Sequence, residues 1–440
     1  MDFDMLGLSP RLIAALKDQG ITDPTPIQAQ AIPHAMNGRD VMGLAQTGSG
    51  KTAAFGLPMI DALMKSGEKP APKGASALVL APTRELAAQI EDNLKAYTRG
   101  THIKTMLIVG GAGMTGQVRR IEKGVHVLVA TPGRLIDHLD RGTVDLSSTE
   151  FLVLDEADQM LDLGFIHALR KIAALLPAER QTMLFSATMP KQMEELAGTY
   201  LNSPAKVQVN PPGQAAEKID QSVHFVAKTA KTDLLAELLG QHRDELAVVF
   251  GRTKHGMEKL SRTLDKMGFS VASIHGNKSQ GQRTRALDAF KSGDVRVLVA
   301  TDVAARGLDI PAVRHVYNYE LPNVADAYVH RIGRTARAGA SGKAVALCAP
   351  DEMGELKDIE KLLKGPIPVA SGARWEGGGE SKPNGGGGRG RGGKGRGGPG
   401  GGGQRAGGQG RPAGQGARAG KPGGGGGNRR RRSGGGGAAS

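Results

Sequence analysis

Short apolar runs alternate with helix-length amphipathic stretches from residue 30 to residue 350. Runs rich in Val, Leu, Ile and Ala, each followed by a helical pattern, are typical of a parallel sheet with helices on both faces. The pattern breaks at Pro211–Gly213 and then starts again, which indicates two α/β domains. The predicted strands are Asp40–Ala45, Ala77–Ala81, Thr105–Val109, His126–Ala130, Phe151–Leu154 and Thr182–Phe185 before the break, and Leu246–Phe250, Val271–Ile274, Arg296–Ala300, His315–Tyr319 and Ala344–Leu347 after it.

One pentapeptide occurs once in each half. Residues Val127–Thr131 and Val297–Thr301 both read VLVAT. Each copy is predicted to be a strand that ends at its threonine, and open α/β sheets place their ligands beyond the carboxyl ends of their strands. The repeat therefore favours two duplicated domains with comparable binding edges.

The C-terminal segment has a composition that no folded domain shares. Of the 64 residues from Gly377 to Ser440, 32 are glycine and 13 are Lys or Arg, while Glu380 is the single acid and no residue is aromatic. Such a chain cannot bury enough apolar surface to offset the entropy of ordering, so we expect it to be disordered. It also carries most of the net charge of +15.

The remaining composition indicates a cytoplasmic, soluble protein. Cys348 is the single cysteine, which excludes disulfides and the usual zinc sites. The N-terminus, MDFDMLGLSP, has acids where a secretory signal has basic residues, and no apolar run is long enough to span a membrane.

Residues Ala45–Thr52 (AQTGSGKT) fit a phosphate-binding loop between a strand and a helix. Gly48 and Gly50 allow backbone N–H groups to face the phosphates, and the helix N-terminus adds positive potential. Lys51 would reach the β- and γ-phosphates, and Thr52 would offer its hydroxyl to Mg²⁺. The predicted phosphate contacts are Ala45, Gln46, Thr47, Gly48, Ser49, Gly50, Lys51 and Thr52.

A second cluster places acids at a strand end. Phe151–Leu154 is followed by Asp155, Glu156, Ala157 and Asp158, the sequence DEAD. Asp155 would hold Mg²⁺, partly through water, and Glu156 would orient and deprotonate the attacking water. Together with the loop, these acids predict an ATP hydrolase.

The third cluster, His330–Arg337 (HRIGRTAR), lies in the second predicted domain. A basic run of this kind could be a solvated helix face. Alternatively, an arginine supplied across a cleft stabilises transition-state charge on the γ-phosphate. In that case, hydrolysis would depend on closure of the two domains.

These clusters, in this order, resemble the motif set of the DEAD-box RNA helicases, from about Phe3 to about Ala349. Residues Gly20–Gln28 resemble the Q motif of that family, in which Gln28 would read the adenine edge and Phe3 would stack on the base. An amide has the donor and acceptor order that pairs with adenine. The resemblance therefore implies ATP as the nucleotide and Mg²⁺ as the metal.

The resemblance also implies roles for residues at other strand ends. Strand-end hydroxyls, arginines and glycine N–H groups suit phosphate and sugar contacts without sequence specificity. Asp309 would touch the ribose, and Arg334 and Arg337 would be the γ-phosphate arginines. The implied RNA contacts are Pro82, Thr83, Arg84, Gly110, Gly111, Thr131, Gly133, Arg134, Arg252, Thr253, His275, Gly276, Gln280, Arg283 and Thr301, and the residues that would couple ATP to RNA are Asp158, Ser186, Thr188, Asp302 and His330.

The resemblance implies an α/β fold with two tandem RecA-like parallel-sheet domains and a disordered Gly/Arg-rich tail. We place a Q-motif segment at residues 1–30, the ATP-binding domain at 31–210, a linker at 211–217, the second RecA-like domain at 218–370 and the tail at 371–440. The compact core, the ending IEKLLK and the tail are similar to those of bacterial RhlE-like members.

Three functions fit these residues. The first is an RNA helicase in which RNA-stimulated ATP hydrolysis unwinds short duplexes or remodels RNA–protein complexes, with the tail adding non-specific RNA affinity. The second is an RNA clamp or annealing chaperone, and the third is a DNA helicase, against which the Q motif argues. Ribosomal precursors and the RNA decay machinery are candidate partners.

Overall fold

The computed structural model describes residues 2–46, 48–209, 219–305, 313–335 and 342–375. Residues 2–209, the first lobe, contain a seven-stranded parallel sheet of order β3-β4-β2-β5-β6-β1-β7. Its strands are β1 (Val41–Leu44), β2 (Ala75–Leu80), β3 (Thr105–Ile108), β4 (Val125–Ala130), β5 (Phe151–Leu154), β6 (Gln181–Ser186) and β7 (Ala205–Gln208).

Helices cover both faces of this sheet, since successive side chains of each central strand enter different cores. In β2, Ala77 and Val79 join one apolar cluster, while Leu78 and Leu80 join the other. A 3₁₀ turn spans Phe3–Leu6, and the α-helices are α1 (Pro10–Lys17), α2 (Pro26–Met36), α3 (Lys51–Ser66), α4 (Arg84–Tyr97), α5 (Met114–Ile121), α6 (Pro132–Asp140), α7 (Ala157–Asp162), α8 (Ile166–Ala173) and α9 (Lys191–Tyr200).

Residues 219–375, the second lobe, contain another seven-stranded parallel sheet, of order β10-β11-β9-β12-β13-β8-β14. Its strands are β8 (Ile219–Phe225), β9 (Ala247–Gly251), β10 (Val271–Ile274), β11 (Val297–Thr301), β12 (His315–Asn318), β13 (Gly342–Cys348) and β14 (Val369–Ser371). Its helices are α10 (Lys231–Gly240), α11 (Lys254–Lys266), α12 (Gln280–Ser292), α13 (Asp302–Ala305), α14 (Ala325–Ile332) and α15 (Met353–Leu363), with a 3₁₀ turn at Pro350–Glu352.

The two sheets correspond strand for strand. Each one places its strands in the same order relative to their sequence, and the two VLVAT copies end the equivalent strands β4 and β11. The fold is therefore the predicted pair of parallel-sheet domains, and the repeat is an internal duplication.

All eleven strands predicted from apolar runs are present, with ends that differ from the prediction by at most two residues. Three further strands, β7, β8 and β14, were not predicted. β7 and β14 each form one edge of their sheet, and half of β7 and all of β14 are exposed, so their sequences lack a continuous apolar run. β8 mixes buried with partly exposed positions for the same reason.

Of the predicted linker and tail, only the first five residues of the tail are among the described residues. The linker at 211–217 and the Gly/Arg-rich segment from residue 376 onward lie outside the described residues. Residue 371, the predicted start of the tail, belongs to β14. Beyond it, Arg374 pairs with Glu360, and Trp375 Nε1 donates to the Cys348 carbonyl at 3.4 Å. None of the described helices has the length and apolarity that a bilayer crossing requires.

Candidate functional site

The loop Ala45–Thr52 connects the carboxyl end of β1 to the N-terminus of α3. Gly48 and Gly50 have φ of 85° and 89°, in the left-handed region that glycine adopts without steric cost. Ser49 Oγ donates to the Gln46 carbonyl at 2.8 Å, which closes the loop on itself. The loop therefore presents a helix N-terminus, whose first backbone N–H groups have no acceptor within the helix, and this arrangement binds phosphate. Thr47 lies outside the described residues.

Lys51 and Asp155 meet beneath this loop. Lys51 Nζ donates to the Ala45 carbonyl at 3.3 Å and lies 3.8 Å from Asp155 Oδ1, with both side chains about 5% exposed or less. Burial raises the pKa of Asp155 to about 6, and Glu156 adds to this, although Lys51 opposes it. A buried carboxylate that one lysine leaves incompletely stabilised is suited to a second cation.

Glu156 follows Asp155 with φ 50° and ψ 51°, a left-handed conformation that is strained for a non-glycine residue. Its side chain is buried, and its N–H donates to Asp155 Oδ1 at 3.0 Å. Strain of this kind persists where the surrounding structure fixes it, and it concentrates at functional sites. The backbone thus directs two successive acids to the strand end.

Asp158 joins this acidic segment to the end of β6. Asp158 Oδ2 accepts from the N–H of Ala187 at 3.2 Å and from the N–H and hydroxyl of Thr188 at 2.9 and 3.0 Å. Ser186 Oγ accepts from the Asp158 N–H at 3.3 Å and donates to the Thr188 carbonyl at 2.7 Å. Three of the five residues predicted to couple ATP to RNA therefore form one network.

Gln28 is held against the phosphate loop. Its Nε2 donates to the Gly50 carbonyl at 3.0 Å, and its Oε1 accepts from the Thr25 N–H at 2.9 Å. One amide hydrogen and one lone pair remain for adenine. The Phe3 ring is 1% exposed because it packs in the first-lobe core, so stacking on a base requires the 3₁₀ turn to shift.

Two arginines of the second-lobe basic cluster, Arg331 and Arg334, are buried and do not form a solvated face. Arg331 is 2% exposed; its guanidinium contacts Asp302 at 2.5 and 2.8 Å and donates to Asn318 at 3.0 Å. Arg334 is 3% exposed and lines a pocket that also contains Gln46 and Thr188 of the first lobe, with His330 beside it. Arg334 therefore lines the same pocket as Gln46 of the phosphate loop.

Sequence reasoning missed the structural role of Arg331. Its charge made it look like its neighbours, and its position three residues before Arg334 gave no sign that its guanidinium is buried against Asp302 and Asn318. Arg337 and Asp309 lie outside the described residues.

The remaining predicted RNA contacts gather at three strand ends of each lobe. In the first lobe they follow β2 (Pro82, Thr83, Arg84), β3 (Gly110, Gly111) and β4 (Thr131, Gly133, Arg134); in the second they lie at the ends of β9 (Arg252, Thr253), β10 (His275, Gly276) and β11 (Thr301). These strands are topologically equivalent, because β3-β4-β2 and β10-β11-β9 occupy the same places in their sheets.

Neighbouring protein groups hold several of the first-lobe members in place. A Cβ placed on Gly111 would lie 2.5 Å from Arg84 Nη1, so only glycine permits the guanidinium to rest there. Arg134 Nε donates to Gln117 Oε1 at 3.2 Å, and its Nη2 donates to the Ala112 carbonyl. Thr83 caps α4 by accepting from the Leu86 N–H at 3.2 Å.

Two predicted contacts are already occupied by protein groups. His275 is 2% exposed, its Nε2 lies 2.9 Å from Glu258, and its Nδ1 accepts from the Asn277 N–H at 3.3 Å. The Arg252 guanidinium donates to the Leu321 carbonyl and to Glu355, at 2.5 and 2.9 Å. In this conformation these side chains organise the strand ends, and the exposed Gly276 and Thr253 beside them are the accessible groups.

Gln280 and Arg283, one turn apart on α12, reach the first lobe. Gln280 Nε2 donates to Glu85 Oε1 at 2.9 Å, and Arg283 Nη2 lies 3.1 Å from Glu85 Oε2. Glu85 belongs to the Pro82–Leu86 run, but the sequence offered no sign of its partners, which lie almost 200 residues away.

A phosphate loop, a strand-end carboxylate pair and a second-lobe arginine that shares a pocket with the loop residue Gln46 are typical of a helicase built from two RecA-like domains. Family models agree: residues 25–196 match the DEAD/DEAH box helicase model and residues 230–339 the helicase conserved C-terminal domain. The chain belongs to the DEAD-box family of ATP-dependent RNA helicases.

Two relatives and two solved structures illustrate the similarity. The chain is 42% identical to the ATP-dependent RNA helicase CshA of Listeria monocytogenes, over 85% of this chain and 71% of the relative, and 44% identical to the DEAD-box ATP-dependent RNA helicase CshA of Geobacillus kaustophilus, over 82% and 76%. S. cerevisiae Dbp5 bound to RNA and ADP BeF3 superimposes with a TM-score of 0.74 at 31% identity, covering 84% of this chain and 95% of that one. Mss116p bound to ssRNA and AMP-PNP gives 0.77 at 28%, covering 85% and 79%. This chain accordingly uses ATP to remodel RNA.

Proposed function

We propose that each ligand uses a separate half of the first sheet. The nucleotide residues follow β1, β5 and β6, which are adjacent, whereas the candidate RNA contacts follow β3, β4 and β2, which form the other half. The matching strand ends of β10, β11 and β9 extend the RNA track onto the second lobe. This division of the strand ends is the observation that carries the proposal.

Each nucleotide residue then has one task. Lys51 binds the β- and γ-phosphates, Glu156 takes the proton of the attacking water, and Arg334 stabilises charge that develops on the γ-phosphate. Gln28 uses its remaining donor and acceptor on adenine. Arg337 and Asp309 keep the γ-phosphate and ribose roles that the family resemblance implies.

The donor set also fits Mg²⁺. A hydroxyl and a carboxylate are hard oxygen ligands, and the raised pKa of the buried Asp155 reflects a negative charge that gains from a nearby cation. Thr52 and Asp155 would hold the ion, partly through water. When bound, Mg²⁺ supplies charge neutralisation to the phosphates.

The proposed RNA track reads the sugar–phosphate backbone. Its accessible groups are glycine N–H groups, strand-end hydroxyls and the Arg84 and Arg134 side chains, none of which encodes a base sequence. We therefore propose single strands and short duplexes as substrates, with low sequence specificity.

Finer assignments rest on the sequence. The IEKLLK ending, which forms the last turns of α15 and its C-cap Lys364, and the Gly/Arg-rich segment support an RhlE-like subtype. The net charge of that segment supports a role in non-specific RNA affinity. We also propose a cytoplasmic location and a role on ribosomal precursors or with the RNA decay machinery, which RNA crosslinking in cells would test.

Arg84→Ala tests the RNA half of the sheet. Arg84 begins α4 at the carboxyl end of β2, and Arg99 follows the same helix at its other end, with an exposed side chain. Arg84→Ala should raise the RNA concentration for half-maximal ATPase stimulation several-fold without changing the KM for ATP. Arg99→Ala, the matched control, should change neither.

Equal behaviour of the two variants would refute the RNA track. Strand displacement from a short duplex, measured with ATP and with a nonhydrolysable analogue, distinguishes unwinding from clamping. Repeated displacement with ATP but not with the analogue supports unwinding.

A further inference from the structure

Three side chains with metal-binding atoms converge at the amino-end edge of the second sheet, opposite the nucleotide and RNA edge. They are His242, Glu245 and His315, and one ligand atom of each lies within 4.8 Å of the others. None belongs to the ATP or RNA residues described above. The set contains no cysteine, which is why the cysteine count gave no sign of it.

Backbone structure fixes all three positions. His242 and Glu245 lie in the turn between α10 and β9, where the Glu245 N–H donates to the His242 carbonyl at 3.1 Å. His315 is the first residue of β12, in register with Ala247 of the neighbouring β9. The turn and the strand start are thus adjacent although they are 70 residues apart.

The ligand atoms point at one another. Glu245 Oε2 accepts a hydrogen bond from His315 Nε2 and lies 3.7 Å from His242 Nδ1. The two imidazoles stack, with centroids 4.2 Å apart and planes 22° from parallel. Both rings therefore present a nitrogen to the same carboxylate oxygen.

One of these separations already fits a tetrahedral metal, whereas His315 Nε2 and Glu245 Oε2 are in direct hydrogen-bond contact and would have to move apart around an ion. Zn²⁺ binds imidazole nitrogen and carboxylate oxygen at about 2.0–2.2 Å, so two ligands of one ion lie about 3.4 Å apart. The His242–Glu245 pair is within a few tenths of an ångström of this value. His242 and Glu245 are only half-buried, so a small side-chain rotation closes the set around an ion, with the fourth position left for water.

The surrounding charges leave Glu245 Oε2 available. Arg314 Nε lies 3.5 Å from the other carboxylate oxygen, Oε1. The Arg243 guanidinium instead lies over the Phe269 ring, 4.7 Å from its centroid. Lys343 faces His315 from the adjacent strand β13. These cations weaken the attraction of the Glu245 carboxylate for a divalent ion. The site therefore needs the two imidazole nitrogens as well as the carboxylate.

We propose that His242, Glu245 and His315 bind a divalent ion of the Zn²⁺ class, with two imidazoles and one carboxylate as ligands. Such ligands suit zinc better than Mg²⁺, which prefers oxygen alone. The ion replaces the hydrogen bond between His315 and Glu245 and ties the turn before β9 to the start of β12. Its role is structural, because it lies at the sheet edge away from the ATP residues.

Titration of the full chain with Co²⁺ tests the proposal, after removal of any polyhistidine tag and in excess Mg²⁺ to occupy oxygen sites. We expect visible absorption bands that saturate at one Co²⁺ per chain and disappear when Zn²⁺ is added. Loss of a group that only supports a metal ligand lowers metal affinity by about 10–100-fold. His242→Ala removes a direct ligand, so it should lower Co²⁺ affinity at least tenfold. His255→Ala, at an exposed histidine of the same lobe, should bind as the wild type does.

Glu245→Gln provides a second variant that retains shape, and circular dichroism checks that each variant is folded. Zn²⁺ should raise the melting temperature of the wild type and of His255→Ala but not of His242→Ala or Glu245→Gln. Absence of saturable bands in the wild type, or equal binding by His242→Ala and His255→Ala, would overturn the site.

Discussion

Lys51 Nζ lies 3.8 Å from Asp155 Oδ1 in a region where both side chains are almost fully buried. The lysine only partly offsets the burial of the carboxylate, whose pKa rises from 3.8 to about 6. A carboxyl with a higher pKa in the folded state binds its proton more tightly there, so its ionisation destabilises the fold as pH rises.

The pH dependence of stability therefore differs between the wild type and Asp155→Asn. Between pH 4 and 6, Asp155 ionises and weakens the nucleotide-free fold, whereas the amide of the variant does not titrate. The stability of Asp155→Asn relative to the wild type should increase by on the order of 2 kcal/mol over this window. Urea unfolding at each pH measures it; a constant difference would contradict the raised pKa.

Glu156→Gln should separate binding from hydrolysis. The amide keeps the shape of the strand end but cannot accept the proton of water, so ATP should bind normally while turnover falls by about 10²-fold or more. Lys51→Ala, by contrast, should weaken ATP binding as well, because it removes the side-chain cation from the loop. Fluorescent nucleotide titration and phosphate release measure the two effects. If Glu156→Gln loses ATP affinity, the catalytic base is another residue.

Arg331 and Arg334 should respond differently despite similar burial. Arg331→Met leaves Asp302 and Asn318 without their shared partner, so it should destabilise the protein by about 3–5 kcal/mol. Arg334→Ala should lower RNA-stimulated turnover by about 10³-fold and change ATP affinity little. Thermal unfolding and steady-state kinetics distinguish them. Normal turnover in Arg334→Ala would exclude it as the closing arginine.

The contact between the lobes at Glu85 and Arg283 should appear as an energetic coupling. Glu85→Ala and Arg283→Ala should each raise the RNA concentration for half-stimulation, and the double variant should cost less than their sum by about 1 kcal/mol. Arg262, which pairs with Glu258 within the second lobe, is the control. Glu85→Ala should combine additively with Arg262→Ala, and additivity in the Arg283 pair as well would mean that the contact carries no energy.

Removal of residues 377–440 should leave turnover at saturating RNA unchanged but weaken RNA binding and its dependence on salt. On single strands, each phosphate that the protein no longer neutralises lowers the slope of log affinity against log salt by about 0.7. A chain of the same length with the 13 basic residues of this segment replaced by Gln separates charge from length. If either change leaves affinity and slope as in the wild type, the segment is a solubility appendage or a linker.

The sequence predicted the fold wherever strands are buried on both faces, because a continuous apolar run is visible without any partner. β7, β8 and β14 escaped because exposed positions interrupt their apolar pattern. Motif positions were predictable for a related reason: a strand end followed by a loop is a local feature.

Side-chain partners could not be predicted in the same way. The contacts of Arg252 with Leu321 and Glu355 join positions about 70 to 100 residues apart. The burial of Phe3 likewise depends on packing against a core assembled from the whole first lobe. Such pairings are set by tertiary structure, and a single sequence carries no record of them.

The boundary between the two halves of the first sheet runs between β2 and β5. The Asp155 N–H donates to the Leu80 carbonyl at 3.0 Å, so the strand that leads to Arg84 and the strand that leads to Glu156 are directly bonded. Neighbouring strands are about 4.8 Å apart. If RNA occupies the proposed track, its effect has to cross only one strand spacing to reach the strand that leads to Glu156, the proposed catalytic base.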